Sequence, residues 1–314
     1  LKFTDNDLDY LKSTNFFKSD FLSYLKNFKF HGDVHAMTEG IIFFEDEPIL
    51  EVTAPLVEAQ IIETFLINTI NLQSMIATKA SRCVHAAGNR KLVDFSFRRT
   101  QGIDAAMKVA KASYVAGFIG TSNILAGKQY EIPIYGTMAH SFVSSFDKEI
   151  DAFRAFSQTF PKNSILLVDT YDSISGTLKA AQVGKEMAER GEELKGIRLD
   201  SGDMTELSQK ARQILDEHGL KDSMIFASGG FDEYKIKKVL SQKAKIDSFG
   251  VGTKMGVSAD APYLDIAYKI TKYNGEPVLK LSTGKVSLTS DKQVFRFASD
   301  KGFYEHDLIA LRDE

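Results

Sequence analysis

Between residues 91 and 252 short apolar runs alternate with segments of helical spacing, and this repetition constrains the fold more tightly than any other feature of the chain. The runs are KLVDFSF (91–97), the segment around Val115 to Ile119, IPIYG (132–136), SILLVDT (164–170), LKGIRLD (194–200), SMIFASG (223–229) and KIDSFGVG (245–252). Helical candidates lie between them, notably Asp104 to Ser113, Glu149 to Thr159, Ile174 to Arg190, Met204 to Glu217 and Asp232 to Gln242. Crossovers of this length favour parallel strands, and about seven βα units suit a closed or nearly closed barrel better than a narrow open sheet.

The two ends of the chain carry a different pattern. Leu8, Leu11, Phe17, Phe21, Leu22 and Leu25 recur at helical spacing and predict two short amphipathic helices before Phe28. From Phe28 to Pro55 partial alternation is broken by Gly32, Gly40, Pro48 and Pro55, which predicts antiparallel strands with turns. Residues 56–87 contain neither Gly nor Pro and read as one helix. After about Tyr263 alternation returns, with Asn274-Gly275 as a hairpin turn, and the strands before residue 57 are its expected partner. The expected organisation is α/β: a barrel over residues 88–262, inserted into a smaller strand-rich domain built from residues 1–87 and 263–314.

Composition narrows the classes. A chain of 314 residues with 43% hydrophobic residues can bury a large core. No run approaches the roughly 18 to 20 apolar residues of a membrane span. The opening LKFTDNDLDY lacks the basic and apolar regions of a secretory signal, so the expected location is the cytoplasm. The single cysteine, Cys83, cannot form an internal disulfide or a cysteine-based zinc site and is expected to be a packing residue. A formal net charge of -3 without a dense Lys/Arg cluster argues against nucleic acid. A polyanionic small molecule stays open, because it needs only a few converging cations and backbone amides.

In parallel βα folds ligands bind beyond the C-terminal ends of the strands. Here the residues after each apolar run are polar: Arg98 and Arg99; Gly120 to Asn123, with Thr121 and Ser122; Thr137 to Ser141, with His140; and Asp169 with Asp172. Later runs end in Arg198, Asp200, Ser201, Gly202 and Asp203, then Ser228-Gly229-Gly230, and finally Gly250, Gly252, Thr253 and Lys254. Each has a plainer explanation, such as surface ion pairing for the arginines, tight turns for the glycines, or helix capping for Asp169 and Asp200. So many coincidences at one end of successive strands favour a shared site. Two glycine-rich turns supply amides for phosphate oxygens, and Arg98 and Arg198 can bind an acid or a phosphate. Asp169 and Asp200 suit ribose hydroxyls, a magnesium shell or the orientation of His140. Without a Walker motif, or a GxGxxG after the first strand, P-loop kinases and dinucleotide dehydrogenases fit poorly.

The ordered set DFSFRRTQG (94–102), GFIGTSNILAG (117–127), GTMAHSF (136–142), LLVDTYDS (166–173), GIRLDSGD (196–203), ASGG (227–230), GVGTKM (250–255) and KLSTGKVSLTSDKQVFR (280–296) closely resembles nicotinate phosphoribosyltransferases, and HGDVHAMTEGIIFFEDEPILEV near the N-terminus is similar too. The resemblance implies an irregular α/β barrel beside a smaller strand-rich domain, in a homodimer whose active sites are shared between subunits. It implies that nicotinate and phosphoribosyl pyrophosphate become nicotinate mononucleotide and pyrophosphate in NAD salvage, with ATP as co-substrate and Mg²⁺ accompanying pyrophosphate and ATP. By the same resemblance His140 is the histidine that ATP phosphorylates. Phe95 stacks on the pyridine, and Arg98 binds near its carboxylate, with Ser141 and Arg198 nearby. Asp169 and Asp200 are ribose-side or histidine-orienting acids, and Gly229, Gly230, Gly250 and Gly252 belong to phosphate loops. Thr121, Ser122, Ser201, Gly202 and Thr253 complete the implied substrate-binding set, with Lys269, Lys280 and Lys292 as basic positions near the pyrophosphate. In nicotinamide-using relatives the position matching Ser122 is an aspartate, which would repel a carboxylate, so serine favours the acid. A non-catalytic nucleotide-binding relative would have no need of a phosphorylatable His140. The tyrosine-containing stretch with which family members begin, and which stacks on the neighbour's pyridine, has no match ahead of Leu1.

Overall fold

The computed structural model describes residues 1–282 and 287–314. Its contacts divide the chain into a smaller unit, Leu1–Ile70 with Asp265–Glu314, and a larger one, Asn71–Leu264. The expected boundary after residue 87 therefore moves into the long helix, because that helix gives its first half to one unit and its second half to the other.

The smaller unit opens with helices α1 (Asp5–Ser13) and α2 (Ser19–Lys26). A reciprocal pair of hydrogen bonds between Thr4 and Asp7 starts α1, satisfying two amides that a helix end leaves free. Strands β1 (Asp33–Ala36) and β2 (Leu50–Thr53) pair antiparallel and lead into α3 (Leu56–Ala87).

The larger unit holds strands β3 (Lys91–Asp94), β4 (Gly120–Thr121), β5 (Ile165–Leu167), β6 (Gly196–Leu199), β7 (Met224–Ala227) and β8 (Ser248–Val251). All pair in parallel, in the order β4-β3-β8-β7-β6-β5. Helices α4 (Ile103–Val115), α5 (Ile124–Tyr130), α6 (His140–Ser144), α7 (Glu149–Thr159), α8 (Ser173–Glu189), α9 (Met204–Glu217), α10 (Glu233–Ser241) and α11 (Thr253–Gly256) connect or follow them. Leu166, Leu167, Ile197, Leu199, Ile225, Phe249 and Val251 are fully buried, as expected of parallel strands covered on both faces. Gly176 lets α8 sit against the strand end: a Cβ there would lie 2.0 Å from the Val168 carbonyl oxygen.

Two expected strands differ. The run at 115–119 is not a strand; α4 continues to Val115, and pairing begins only at Gly120. The run at 132–136 contributes a single parallel bridge between Ile134 and Thr121. It finds only the two residues of β4 to pair with, because Asn123 already caps α5. The irregular barrel is thus hydrogen-bonded as six parallel strands with one bridge at the β4 edge.

The tail of the smaller unit forms β9 (Lys272–Tyr273) with β10 (Glu276–Pro277), and β11 (Lys292–Ala298) with β12 (Tyr304–Leu311). Among the described residues these strands pair with each other rather than with β1 and β2, as had been expected. Side chains join the two ends instead: Glu51 on β2 accepts from Lys292 and Arg312, and Arg296 reaches the Ile42 carbonyl. No helix of the described residues is long and apolar enough to cross a membrane.

Candidate active site

Strand β6 sets the centre of the site. Arg198 lies in the strand and Asp200 follows one residue past its end, and the two side chains meet there. Arg198, only 13% exposed, donates from Nε to the Ser228 hydroxyl at 2.8 Å, from one terminal nitrogen to Thr137 Oγ1 at 2.7 Å, and from the other to Asp200 Oδ1 at 2.8 Å. The Ser228 hydroxyl also donates to Asp200 Oδ1. Burial alone would raise the Asp200 carboxyl, but Ser228, the Arg198 guanidinium and His140 together hold it below the ordinary aspartate value.

His140 begins α6 and stands between two partners. Its Nδ1 lies 3.1 Å from the Thr170 hydroxyl and its Nε2 lies 3.5 Å from Asp200 Oδ2. An ionised carboxylate can only accept, so this network assigns the ring proton to Nε2 and leaves a lone pair on Nδ1. Of the two acids expected to orient the ring, Asp200 faces it and Asp169 does not. Asp169 Oδ2 instead accepts from the Asp200 N–H at 2.9 Å and the Ser201 hydroxyl at 2.6 Å. Its Oδ1 is buried with no hydrogen-bond partner among the described residues.

The glycine turns follow β7 and β8. Gly229 has φ +97°, and a Cβ on it would lie 2.0 Å from the Asp200 carbonyl oxygen; Gly230 follows at φ +67°. Only glycine fits both demands at position 229. Lys235 clamps this turn by donating to the Gly229 carbonyl at 2.6 Å. Burial and the nearby Lys254 lower the Lys235 ammonium below the ordinary lysine value. Lys254 itself pairs with Asp232 at 2.6 Å. Gly202 also has a positive φ, +85°, and Ser201, Gly202 and Thr253 are exposed at strand ends.

Phe95 occupies the β3 end with its ring 5.5 Å from the Phe226 ring and 5.5 Å from the Arg198 guanidinium carbon. Gly250 leaves room for it: a Cβ there would lie 2.8 Å from Phe95 and 2.9 Å from Phe226. A Cβ on Gly252 would lie 2.9 Å from the Phe95 carbonyl oxygen. Arg98 and Arg99 are exposed on the 3-10 turn Phe97–Arg99. Ser122 is half-buried at the β4 end, whereas Thr121 is fully buried and spends its hydroxyl on Asp94. Ser141 is exposed next to His140.

Helix capping falls to other acids. Asp172, Asp203 and Asp232 cap α8, α9 and α10 by accepting amide hydrogens with their side chains. Asp169 and Asp200 are thereby free of that task. Lys269, Lys280 and Lys292 belong to the smaller unit, where Lys292 pairs with Glu51 at 3.3 Å. Within the motif at 280–296, positions 283–286 lie outside the described residues. Sequence reasoning had not singled out Thr170, Lys235 or Asp94. Thr170 and Asp94 lie inside apolar runs that were read for burial, and Lys235 lies on a helix face.

The nicotinate phosphoribosyltransferase N-terminal domain model matches residues 1–71, and the nicotinate phosphoribosyltransferase family model matches residues 90–301. A nicotinate phosphoribosyltransferase of Mycobacterium tuberculosis is 48% identical over 295 residues, covering 94% of this chain and 63% of that protein. One from Bacillus subtilis is 43% identical over 321 residues, covering 100% of this chain and 65% of that protein. This chain therefore spans less than two thirds of the length of these relatives. Human nicotinic acid phosphoribosyltransferase superposes with a TM-score of 0.84 at 25% identity, covering 100% of this chain and 71% of that one. Nicotinate-nucleotide pyrophosphorylase from Pyrococcus furiosus superposes at 0.77 with 28% identity, covering 94% and 72%. In sequence and in fold, the chain belongs to the nicotinate phosphoribosyltransferase family.

Proposed function

We propose that this chain carries out nicotinate phosphoribosyl transfer for NAD salvage, as a cytoplasmic homodimer, with ATP hydrolysis coupled through His140. The observation that carries this reading is the run of contacts from Thr170 through His140 and Asp200 to Arg198, beside the Gly229-Gly230 turn. In the transfer step the pyridine nitrogen bonds to C1 of the ribose as the bond to pyrophosphate breaks, and no protein nucleophile is required. Phe95 offers a stacking face for the ring, and Arg98 and Ser122 are the groups for its carboxylate. Amides of the glycine turns, with Lys235 and Lys254 behind them, suit the phosphate oxygens.

Among the described residues no group of three or more acids, histidines or cysteines could hold a metal by itself. Mg²⁺ is ordinarily held by one or two carboxylates together with substrate phosphates and water, and the free buried Oδ1 of Asp169 fits that role. Bound there, the ion would neutralise charge on the departing pyrophosphate. In the coupling step the Nδ1 lone pair of His140 takes the γ-phosphoryl group as ADP leaves, while Asp200 holds the Nε2 proton. Water later releases phosphate and restores the imidazole.

Nicotinate, nicotinamide and quinolinate, each offered separately with phosphoribosyl pyrophosphate, test the reading through pyrophosphate release. Release with nicotinate alone is the expected result. Release with nicotinamide or quinolinate instead would overturn the choice of base. A fully active monomer, seen by light scattering during turnover, would overturn the dimer.

A further inference from the structure

We infer that Asp94 is a positioning residue for the pyridine pocket, joining its two walls through one buried carboxylate. The inference rests on the proposed nicotinate reaction and concerns how the pocket keeps its shape. Asp94 is the last residue of β3, only 1% exposed, and it is paired in register with Thr121 of β4. In the proposed reaction its neighbour Phe95 supplies the stacking face and Ser122, next after Thr121, faces the carboxylate; both are half-buried at adjacent strand ends.

Asp94 grips both neighbours. Its Oδ1 accepts from the Ser96 N–H at 2.8 Å, which turns the chain sharply after Phe95. Its Oδ2 accepts from the Thr121 hydroxyl at 2.7 Å, and the same hydroxyl accepts from the Asn123 N–H at 3.0 Å. The Asp94 carbonyl accepts from the Ser122 N–H at 2.8 Å. A one-way relay results, from the Asn123 amide through the Thr121 hydroxyl to the carboxylate, with the Ser96 amide donating from the other side. Burial pushes the carboxyl above its ordinary value, against the hydrogen bonds from Ser96 and Thr121. Among the described residues, the side-chain hydrogen bonds and ion pairs of His140 and Asp200 go to each other and to Thr170, Arg198 and Ser228.

The relay needs an acceptor at both oxygens, so an isosteric amide breaks it whichever way it is turned. In Asp94→Asn the NH₂ group faces either the Ser96 N–H, donor against donor, or the Thr121 hydroxyl, whose second lone pair can accept it but whose hydrogen then loses the acceptor it has in the relay. Thr121→Val removes the same link from the opposite strand, and Thr121→Ser keeps it. Steady-state kinetics on the full chain, with nicotinate and phosphoribosyl pyrophosphate varied separately, decides the matter.

Asp94→Asn and Thr121→Val should raise the nicotinate KM about tenfold or more, with kcat and the phosphoribosyl pyrophosphate KM changed less than about threefold. Thr121→Ser should recover most of the loss seen with valine. Should Asp94→Asn fail to fold, Thr121→Val and its serine counterpart carry the test alone. An unchanged nicotinate KM, or equal rises for both substrates, would overturn the inference while leaving the proposed reaction standing. Wild-type protein that releases no pyrophosphate with nicotinate would overturn the reaction and the inference with it.

Discussion

Gly250→Ala asks whether the Phe95 ring is held where a pyridine would stack. Gly250 lies in β8, and its backbone conformation suits any residue, so the substitution adds a methyl group without backbone strain. That methyl would lie 2.8 Å from Phe95 and 2.9 Å from Phe226, against an ordinary contact of at least 3.4 Å, so room of about 0.6 Å must be found on one side and about 0.5 Å on the other. Phe226 is 4% exposed within the packed interior and can yield little, whereas Phe95 is half-buried, so Phe95 takes the larger displacement as the methyl and its strand shift towards it. Overpacking by one methyl costs about 1 to 2 kcal/mol where one neighbour can yield, which lowers Tm by about 2 to 8 °C in a unit of this size. A well-placed aromatic pair is worth about 0.5 to 1.5 kcal/mol, so displacement should raise the nicotinate KM about twofold to tenfold. Thermal unfolding by circular dichroism and pyrophosphate release with nicotinate titrated would measure both effects. A lowered Tm with an unchanged nicotinate KM would show that Phe95 does not line the base pocket. An unchanged Tm would refute the packing argument itself.

His140→Ala should abolish ATP hydrolysis and ATP stimulation while leaving slow, uncoupled nucleotide synthesis; a variant that still hydrolyses ATP in step with synthesis would place the phosphoryl carrier elsewhere. Arg198→Ala removes a side chain that holds Asp200, Ser228 and Thr137 together. It should cost about 2 to 4 kcal/mol of transition-state stabilisation, or about 30- to 900-fold in kcat/KM, and unchanged steady-state rates would dismiss it from the site. Lys79→Met would remove the buried ammonium that meets Glu233 at 2.8 Å and Asp260 at 2.6 Å while only 3% exposed, leaving Arg82, at 3.1 Å and 3.3 Å, as the cation that faces both acids. A loss of about 1.5 to 3 kcal/mol in denaturant unfolding is expected, the scale of charge-assisted hydrogen bonds lost while a second cation remains. Burial works to lower the Lys79 ammonium, but the Asp260 and Glu233 carboxylates outweigh it and raise the group above its ordinary value. This stabilisation is present in full below the ordinary lysine pKa and is lost as pH rises through the raised one. Wild-type Tm should therefore fall more steeply than that of Lys79→Met in strong alkali, and parallel curves would contradict the assignment.

The apolar runs were readable as strands because β5, β6, β7 and β8 are buried on both faces, which leaves a continuous hydrophobic signature. The long helix was readable as residues 56–87 for a different reason, the absence of any Gly or Pro within it. Errors arose where one polar contact ends an element. The first run continues to Phe97, yet β3 stops at Asp94 because its carboxylate takes the Ser96 amide and turns the chain. The site acids were legible as strand-end residues, but their pairing was not. That His140 meets Thr170 and Asp200 while Asp169 supports the Asp200 amide depends on neighbours thirty or more residues away. Thr121 shows the opposite failure: the GTSN turn looks like a ligand loop, and the threonine within it faces inward.

The corners after β5 and β6 each carry two acids, three positions apart. Asp172 and Asp203 start the helices, while Asp169 and Asp200 face the site. Helix initiation and chemistry are therefore separable at the level of single codons. Exchange of Asp169 or Asp200 leaves the following helix free to start on its own signal, and its cost falls on the contacts these acids make, with the Asp200 amide and Ser201 hydroxyl or with Arg198 and Ser228. Exchange of Asp172 or Asp203 has no such freedom, since it removes a cap whether or not any substrate is bound.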